Sequence, residues 1–550
     1  MSSIKDKKDN PTVREVTHQL LRDLGMTTVF GNPGSTELDF LTDWPEDFRY
    51  VLALQEGSAI GIADGYTRIT GNASYINLHS AAGLGNALGN IFTAYKNQTP
   101  MVVTAGQQAR SLLLDEAYLA AQSAAEFPKP YVKYSVQPER AQDVPKAILQ
   151  AYLIAMTEPK GPCFVSIPSD DWNQPAEYIQ VPKIVPQGIA DDESLIKVAE
   201  KLAKSHNTVI IAGSELGIYN GFDQLVTLAE TLKAQVYTAP VSNECVFPED
   251  HPLFGGFLSA IPGDAAKKLA GFDLVLVVGA PAFTFHVPGT FKLDEKVEVI
   301  QLSASSHTLA ISSVSSLQPT IGLYGDLAKS LNRLSEHLAT HHVVGNEKPA
   351  VSVKREKLEK GEKLSAAYAV QLLRSMVPDS VTLVEEAPSH RPAIQQHFPV
   401  RRNRGFMTMA SGGLGYGLPA SVGVALAMKD AHKDPVKDRV IAVIGDGSMM
   451  YSIQSLWTAA EFDVPLTVIV LNNSGYGAMR SFSQLLGYKN VPGISFTGLD
   501  YVQIAHGHNL TEGWQVDNAD DLEKALKAAL SSNKPNIIEI VVDPNQGNIY

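Results

Sequence analysis

Short apolar runs that break off in glycine or polar residues recur along this 550-residue chain, with helical patterns between them. In the first stretch Val13, Val16, Leu20 and Leu24 repeat at helical spacing, and Gly25 stops the helix. Thr27 to Phe30 then runs into Gly31-Asn32-Pro33-Gly34, and Val51 to Leu54 ends at Gln55-Glu56. Ser74 to Leu78 ends at His79, and Met101 to Thr104 at Ala105-Gly106. Runs without polar alternation suit strands covered on both faces, and helices between strands imply a parallel sheet. The pattern returns in Thr208–Ala212, Gln235–Thr238, Leu274–Gly279 and Val297–Leu302. It returns again in Ser380–Val384, Arg439–Ile444, Leu466–Leu471 and Asn536–Val542, with a Gly-rich turn at Ser411–Gly417. A Pro-containing stretch from Asn173 to Gly188 reads as a linker, as does a Lys- and Glu-rich segment from Glu347 to Lys363 that is partly helical at most. The expectation is an α/β chain of three doubly wound parallel-sheet domains, at residues 1–182, 189–340 and 364–550.

Composition narrows the function. The net charge of −13, from 58 acidic and 45 basic residues, disfavours a binder of nucleic-acid backbones, which needs Lys and Arg to displace counterions. Cys163 and Cys245 are too few and too far apart for a disulfide framework or a zinc site, and read as buried thiols. Met1 to Asn10 is polar and charged, unlike a secretory signal, and no apolar run is long enough for a bilayer. A cytoplasmic protein without a membrane or nucleic-acid partner is expected.

The most specific local pattern is Gly445-Asp446-Gly447-Ser448, followed after a helix and a strand by Asn472-Asn473. Asp446 and Asn473 each leave the end of an apolar strand, where a carboxylate and a carboxamide oxygen can hold a hard cation. Backbone carbonyls, Gly475 among them, and phosphate oxygens would complete the six oxygen ligands that Mg2+ prefers. Gly447 and Ser448 precede a helix expected from near Ser452, so their N–H groups can face phosphates. Either dipeptide alone is an ordinary turn; together on successive strand ends they favour a metal-bound diphosphate.

Other residues carry two readings each. Glu56 is either a catalytic carboxyl desolvated at a strand end or a helix N-terminal Glu set against the macrodipole. His79, before the small-residue turn Ser80-Ala81-Ala82-Gly83, is a proton-transfer group or a structural strand-end histidine. His286, beyond Leu274–Gly279, is a proton-transfer group or a loop histidine. Ser35 is a helix N-cap before Glu37–Leu41, a place that also suits an anion. Glu386 and Ser389 lie after Ser380–Val384, either near a ligand or capping the next helix.

Gly445-Asp446-Gly447 with Asn472-Asn473 matches the thiamine diphosphate motif, and nearly the whole chain resembles the benzoylformate decarboxylases. The resemblance is carried by Phe30–Ser35 (FGNPGS), Leu52–Glu56 (LALQE), Gly61–Tyr66 (GIADGY) and Ile76–Gly83 (INLHSAAG). Thr104–Gln108 (TAGQQ), Gly279–Pro281 (GAP) and Gly412–Gly415 (GGLG) add to it. It implies a pyrimidine-binding, a middle and a diphosphate-binding domain in that order, with thiamine diphosphate and Mg2+, for which Ca2+ could substitute. It further implies non-oxidative decarboxylation of an aromatic 2-oxo acid such as benzoylformate, through a cofactor enamine, to the aldehyde and carbon dioxide. Glu56 would activate the cofactor, Gly412 would offer its carbonyl to the exocyclic amine, and Leu414 would bend the cofactor. Tyr476, Gly447, Ser448 and Asn473 join the cofactor-binding residues, and Asp446, Asn473 and Gly475 hold the metal. His79 and His286 would move protons, Ser35 would receive the substrate carboxylate, and Asn86 would sit in the same pocket.

The aryl pocket implied by the resemblance is lined by Leu119, Ala478, Met479 and Phe482. Tyr118, Met479, Thr408 and Pro388 depart from the family's pattern there, which leaves the exact 2-oxo acid open. The alternatives are a thiamine diphosphate carboligase or lyase, and a non-catalytic binder on the same fold. Active sites between subunits imply at least a homodimer, with a tetramer as a dimer of dimers expected.

Overall fold

The computed structural model describes residues 9–182, 187–311 and 320–544. Residues 1–8 of the polar N-terminal stretch and residues 183–186 of the first linker lie outside the described residues. Three sheets of six strands follow one another along the chain, and every strand pair is parallel.

The first sheet contains β1 (Thr28–Asn32), β2 (Arg49–Leu52), β3 (Ser74–Leu78), β4 (Met101–Gln107), β5 (Ser135–Val136) and β6 (Pro162–Pro168), in the order β2-β1-β3-β4-β6-β5. The second contains β7 (Thr208–Ala212), β8 (Gln235–Thr238), β9 (Phe254–Phe257), β10 (Leu274–Val278), β11 (Glu298–Ser303) and β12 (Ile321–Tyr324), in the order β12-β11-β10-β7-β8-β9. The third contains β13 (Thr382–Glu386), β14 (Phe406–Met407), β15 (Val440–Gly445), β16 (Leu466–Asn472), β17 (Glu512–Val516) and β18 (Asn536–Val541), in the order β14-β13-β15-β16-β18-β17. Central strands such as β10 (LVLVV) are buried throughout, which explains their unbroken apolar lettering.

Each sheet has a reversal of strand order between two inner strands, and a crevice opens there beyond the carboxyl ends. The reversal lies between β1 and β3 in the first sheet and between β13 and β15 in the third. Chain order thus delivers the residues after Asn32 and Leu78 to one crevice, and those after Glu386 and Gly445 to the other. The first and third sheets also share a core: Phe30, Ile76 and Leu78 belong to the same apolar cluster as Val384, Ile444 and Val470. The second sheet has clusters of its own.

Two expectations shift. The strand read as Val51–Leu54 is Arg49–Leu52, because Leu54 is 45% exposed and Gln55 already caps a helix. The Glu347–Lys363 segment carries neither helix nor strand, and is pinned by Glu347 N–H to His206 O and Leu358 N–H to Gln371 Oε1. Cys163 and Cys245 are buried unpaired thiols, and burial pushes both pKa values up. No described helix is long and apolar enough to cross a membrane.

Candidate active site

At the third sheet's crevice β15 hands over Asp446, and the adjacent β16 ends at Asn472 and Asn473. Asp446 is buried; its Oδ1 accepts the Gly447 N–H and its Oδ2 the Gly475 N–H, each at 2.8 Å. Burial pushes its carboxyl above the ordinary range, against the pull of those donors. Asn472 is consumed by the fold: its Nδ2 donates to Glu539 Oε1 at 2.7 Å and its Oδ1 accepts the Ser474 N–H at 3.0 Å. Asn473 differs. Its Nδ2 lies 3.2 Å from His390 Nε2, while its buried Oδ1 accepts no hydrogen bond among the described residues.

An orphaned buried acceptor costs about 1–3 kcal/mol, and a cation would remove that cost. Asp446, Asn473 Oδ1 and the Gly475 carbonyl make an oxygen set of the kind Mg2+ or Ca2+ takes, so the residues fit such an ion. No group of three or more His, Cys, Asp or Glu suited to a metal occurs among the described residues, so phosphate and water would supply the other ligands. Space is reserved by glycine: a Cβ on Gly447 would lie 2.6 Å from the Tyr476 ring. The helix expected from near Ser452 is instead broken into Asp446–Met449 and Ser455–Glu461. The break lets Tyr451 fold against the Gly-rich turn, where a Cβ on Gly415 would sit 2.9 Å from Tyr451 Cβ. A diphosphate would therefore meet single N–H groups of Gly447 and Ser448 rather than the end of a long helix.

Glu386, the last residue of β13, accepts the N–H groups of Gly415 and Tyr416 at 2.7 Å and of Gly417 at 2.5 Å. It thereby caps the Gly417–Asp430 helix and fixes the turn; complete burial pushes its carboxyl up to about 7 although those donors pull it down. Ser389 Oγ accepts the Ala478 N–H at 2.9 Å and starts the Gly477–Leu485 helix. For both residues capping is the role the contacts show. Gly412, at φ +76°, is exposed at the tip of the turn, and Leu414 is half-buried against the shared core.

In the first domain Glu56 is the opening residue of the Glu56–Thr70 helix and is half-buried, which corrects the expected deep strand-end position. Asn86 Nδ2 donates to Glu56 Oε2 at 3.1 Å. The expected turn Ser80–Gly83 is the first turn of the Ser80–Lys96 helix, and a Cβ on Gly83 would lie 3.0 Å from Glu56 Oε1 and 3.4 Å from His79 Cβ, so this bare backbone lies against both residues. His79 Nδ1 lies 2.9 Å from Glu37 Oε2 and 3.1 Å from Thr36 Oγ1. Glu37 is buried and also accepts the Gly34 N–H at 2.7 Å, the Gly106 N–H at 2.9 Å and the Thr36 hydroxyl at 2.7 Å. Ser35 is exposed and opens a 3-10 turn, Ser35–Glu37, behind Gly34; it is not the N-cap that the sequence suggested, because Glu37 satisfies the Gly34 N–H.

The His286 and Phe482 rings meet at 5.6 Å between centroids, which sets the middle-domain loop against the Gly477–Leu485 helix. Met479 on that helix is 52% exposed, Ala478 and Leu119 are half-buried, and Tyr118 is 87% exposed. Thr408 is buried, donating to Glu385 O at 2.8 Å and accepting from Arg391 Nη2 at 2.7 Å; Pro388 opens the 3-10 turn Pro388–His390. Among the described residues Glu56, His79, Ser35 and Asn86 make no hydrogen bond or ring contact with Asp446, Asn473 or Gly475. The chain builds two half-sites.

Known proteins share this division. Residues 11–126 match the N-terminal TPP binding domain of thiamine pyrophosphate enzymes, 195–334 their central domain and 387–540 their C-terminal TPP binding domain. Benzoylformate decarboxylase of Pseudomonas aeruginosa is 38% identical over 542 residues, 96% of this chain and 98% of that protein. The chain belongs to the benzoylformate decarboxylase family of thiamine pyrophosphate enzymes. Within that family, the crystal structure of benzoylformate decarboxylase from Polynucleobacter necessarius has TM-score 0.91 at 35% identity, over 97% of this chain and 99% of that one. The thiamine diphosphate-dependent 4-hydroxybenzoylformate decarboxylase of Rhodococcus jostii RHA1 has TM-score 0.89 at 38% identity, over 97% and 99%. The two groups of candidate residues fall within the segments that match the N-terminal and the C-terminal TPP binding domain. Glu37 and His390 escaped the reading of the sequence. Glu37 had one signal, its position three residues after Gly34 at a helix start, and His390 had none.

Proposed function

We propose that the chain decarboxylates an aromatic 2-oxo acid, such as benzoylformate, non-oxidatively to the aldehyde and carbon dioxide, with thiamine diphosphate and Mg2+. The observation that carries this reading is one half-site holding both the Glu56 carboxylate, which accepts from Asn86 Nδ2, and His79, whose Nδ1 is engaged by Glu37, with the first turn of the Ser80–Lys96 helix against both residues. An activating carboxylate and a proton-transfer group at one place are what loss of carbon dioxide followed by protonation requires. Relatives named for decarboxylation of benzoylformate and 4-hydroxybenzoylformate support an aryl substrate.

When bound, thiamine diphosphate supplies a nucleophilic carbon and an electron sink for the electrons of the departing carboxylate. Asp446, Asn473 and the Gly475 carbonyl would hold Mg2+, or Ca2+ in its place, while Gly447 and Ser448 present N–H groups to the diphosphate and Tyr476 flanks it. Gly412 O would accept from the exocyclic amine, with Leu414 beneath. Glu56, oriented by Asn86 Nδ2, would engage the pyrimidine nitrogen of the bound cofactor. Glu37 engages His79 Nδ1, which leaves Nε2 as the nitrogen that exchanges a proton with substrate. Ser35, at the exposed head of its turn, receives the substrate carboxylate. His286 against Phe482 adds a second imidazole beside the helix that carries Ala478 and Met479, and Leu119 would complete the apolar lining from the first-domain half-site.

The middle domain speaks against a dinucleotide seat of its own. At its crevice the buried Glu215 carboxyl accepts from Ser303 Oγ at 2.7 Å, Ala304 N–H at 3.0 Å and Thr308 Oγ1 at 2.8 Å, which takes up the donors a diphosphate would need. The half-sites on separate domains support assembly into a homodimer, and a homotetramer as a dimer of dimers, located in the cytoplasm. The test is carbon dioxide release from a panel of 2-oxo acids by wild type and Glu56→Gln. The variant should keep cofactor binding and lose about 100-fold or more in kcat; normal turnover by it, or no turnover of any acid by wild type, overturns the reading.

A further inference from the structure

His390 is buried at the end of the 3-10 turn that follows β13, and its Nε2 lies 3.2 Å from Asn473 Nδ2. A carboxamide has two ends of opposite character. If Nδ2 donates to a bare Nε2, Oδ1 points away from His390; if Nε2–H donates to Oδ1, the amide instead presents its hydrogens to that side. Only the first arrangement offers an oxygen to a cation. It also leaves Oδ1 buried without a partner, as observed.

Two further neighbours hold Asn473 in place. Arg480 Nη2 donates to the Asn473 backbone carbonyl at 2.9 Å, so the main chain is anchored. A Cβ on Gly477 would lie 2.6 Å from Asn473 Nδ2 and 2.8 Å from Ser389 Oγ, so the amide packs against bare backbone. His390 is the group placed to decide which end faces the cation.

We propose that His390 is a positioning residue for the cation site: its Nε2 accepts from Asn473 Nδ2 and so aims Oδ1 at the metal. This rests on the assignment of Asp446 and Asn473 as metal ligands. The partner behind a metal ligand is worth about 10–100-fold in affinity.

The experiment measures Mn2+ binding to the cofactor-stripped protein, with thiamine diphosphate present, by electron paramagnetic resonance. His390→Leu removes the acceptor and should weaken Mn2+ by about 10–100-fold, whereas His390→Gln, whose Oε1 can accept, should restore it to within about threefold. In an Asn473→Asp background both ends of the side chain are oxygen. There, adding His390→Leu should change Mn2+ affinity by less than about threefold. Equal losses from His390→Leu in the wild-type and Asn473→Asp backgrounds would show a general structural role and overturn the proposal, as would unchanged affinity in His390→Leu alone. Asp446→Ala separates the two layers: if it leaves Mn2+ binding intact, the metal-site reading itself falls. If it abolishes binding while His390→Leu does nothing, only the role of His390 falls. Melting temperatures of the stripped variants show that each is folded.

Discussion

Asn472 and Asn473 follow one another at the end of β16, yet the protein satisfies only the first with its own hydrogen bonds. Their letters are identical, so the difference comes from Glu539 on a neighbouring strand and His390 on a distant loop. His79 was legible because it ends a strand before small residues; Glu37, which holds it, looked like part of a helix start. Among single titrating groups the clearest case is His18, caged by Phe40, Trp44 and Phe48. Burial first, and then Arg22 and Arg14, lower its pKa to about 4. As pH falls below the ordinary histidine value of 6.5 the unfolded chain takes a proton that the folded chain refuses until about pH 4. Its contribution is therefore complete above that ordinary value and is lost as pH falls toward 4, by about 3 kcal/mol. Unfolding of wild type and His18→Leu, compared at neutral pH and near pH 4, should show their stability difference shift by that amount against wild type. A constant difference would contradict it.

Elements meet through surfaces that strand and helix patterns do not advertise. The Glu56–Thr70 and Gly417–Asp430 helices pack backbone to backbone: a Cβ on Gly423 would lie 1.8 Å from Ile62 O, and one on Gly65 2.0 Å from Ala420 O. The first helix begins with Glu56 and the second follows the Gly-rich turn, so this contact relates two parts of the site. Gly423→Ala should cost about 1–3 kcal/mol by forcing the helices apart, and kcat should fall with it. Thermal unfolding and turnover check it together; an unshifted melting temperature would count against the packing argument. Most central strands were legible within one or two residues because both faces are buried. β5, β6, β9, β12, β14 and β17 were missed; among them β6 begins and ends in proline, β9 is Phe-Gly-Gly-Phe, and β5 and β14 have two residues each. A first-position proline is tolerated, because it lacks only the N–H that its place need not supply.

Arg68 joins all three domains into one body. From the Glu56–Thr70 helix its guanidinium donates to Glu244 Oε1 at 2.7 Å, to Asn243 O at 2.7 Å and to Thr408 O at 3.1 Å. It also donates to Tyr416 Oη at 2.5 Å, next to the Gly-rich turn. Burial of this group opposes its charge, but the Glu244 carboxylate more than compensates and its pKa is raised. The fold is thus locked internally, while large apolar side chains stay exposed in the segments next in sequence to Leu119 and to the Gly477–Leu485 helix. Leu114 is 97% exposed, Tyr118 87% and Tyr488 62%. Surfaces of this kind suit a second copy of the chain, which would bring a first-domain half-site to a third-domain one. Light scattering at assay concentration should therefore give a dimer or larger; a fully active monomer would rule this arrangement out.

Consecutive letters were enough for the α/β class, the succession of three sheets and the residues delivered to strand ends, because strand burial and the two short motifs are local patterns. Which of those residues remain chemically available was settled by packing. Asn472, Glu386 and Thr408 are consumed by hydrogen bonds to groups distant in the chain, whereas Asn473 Oδ1 is not. Availability depends on neighbours that folding brings together from far along the chain, and no local pattern encodes them.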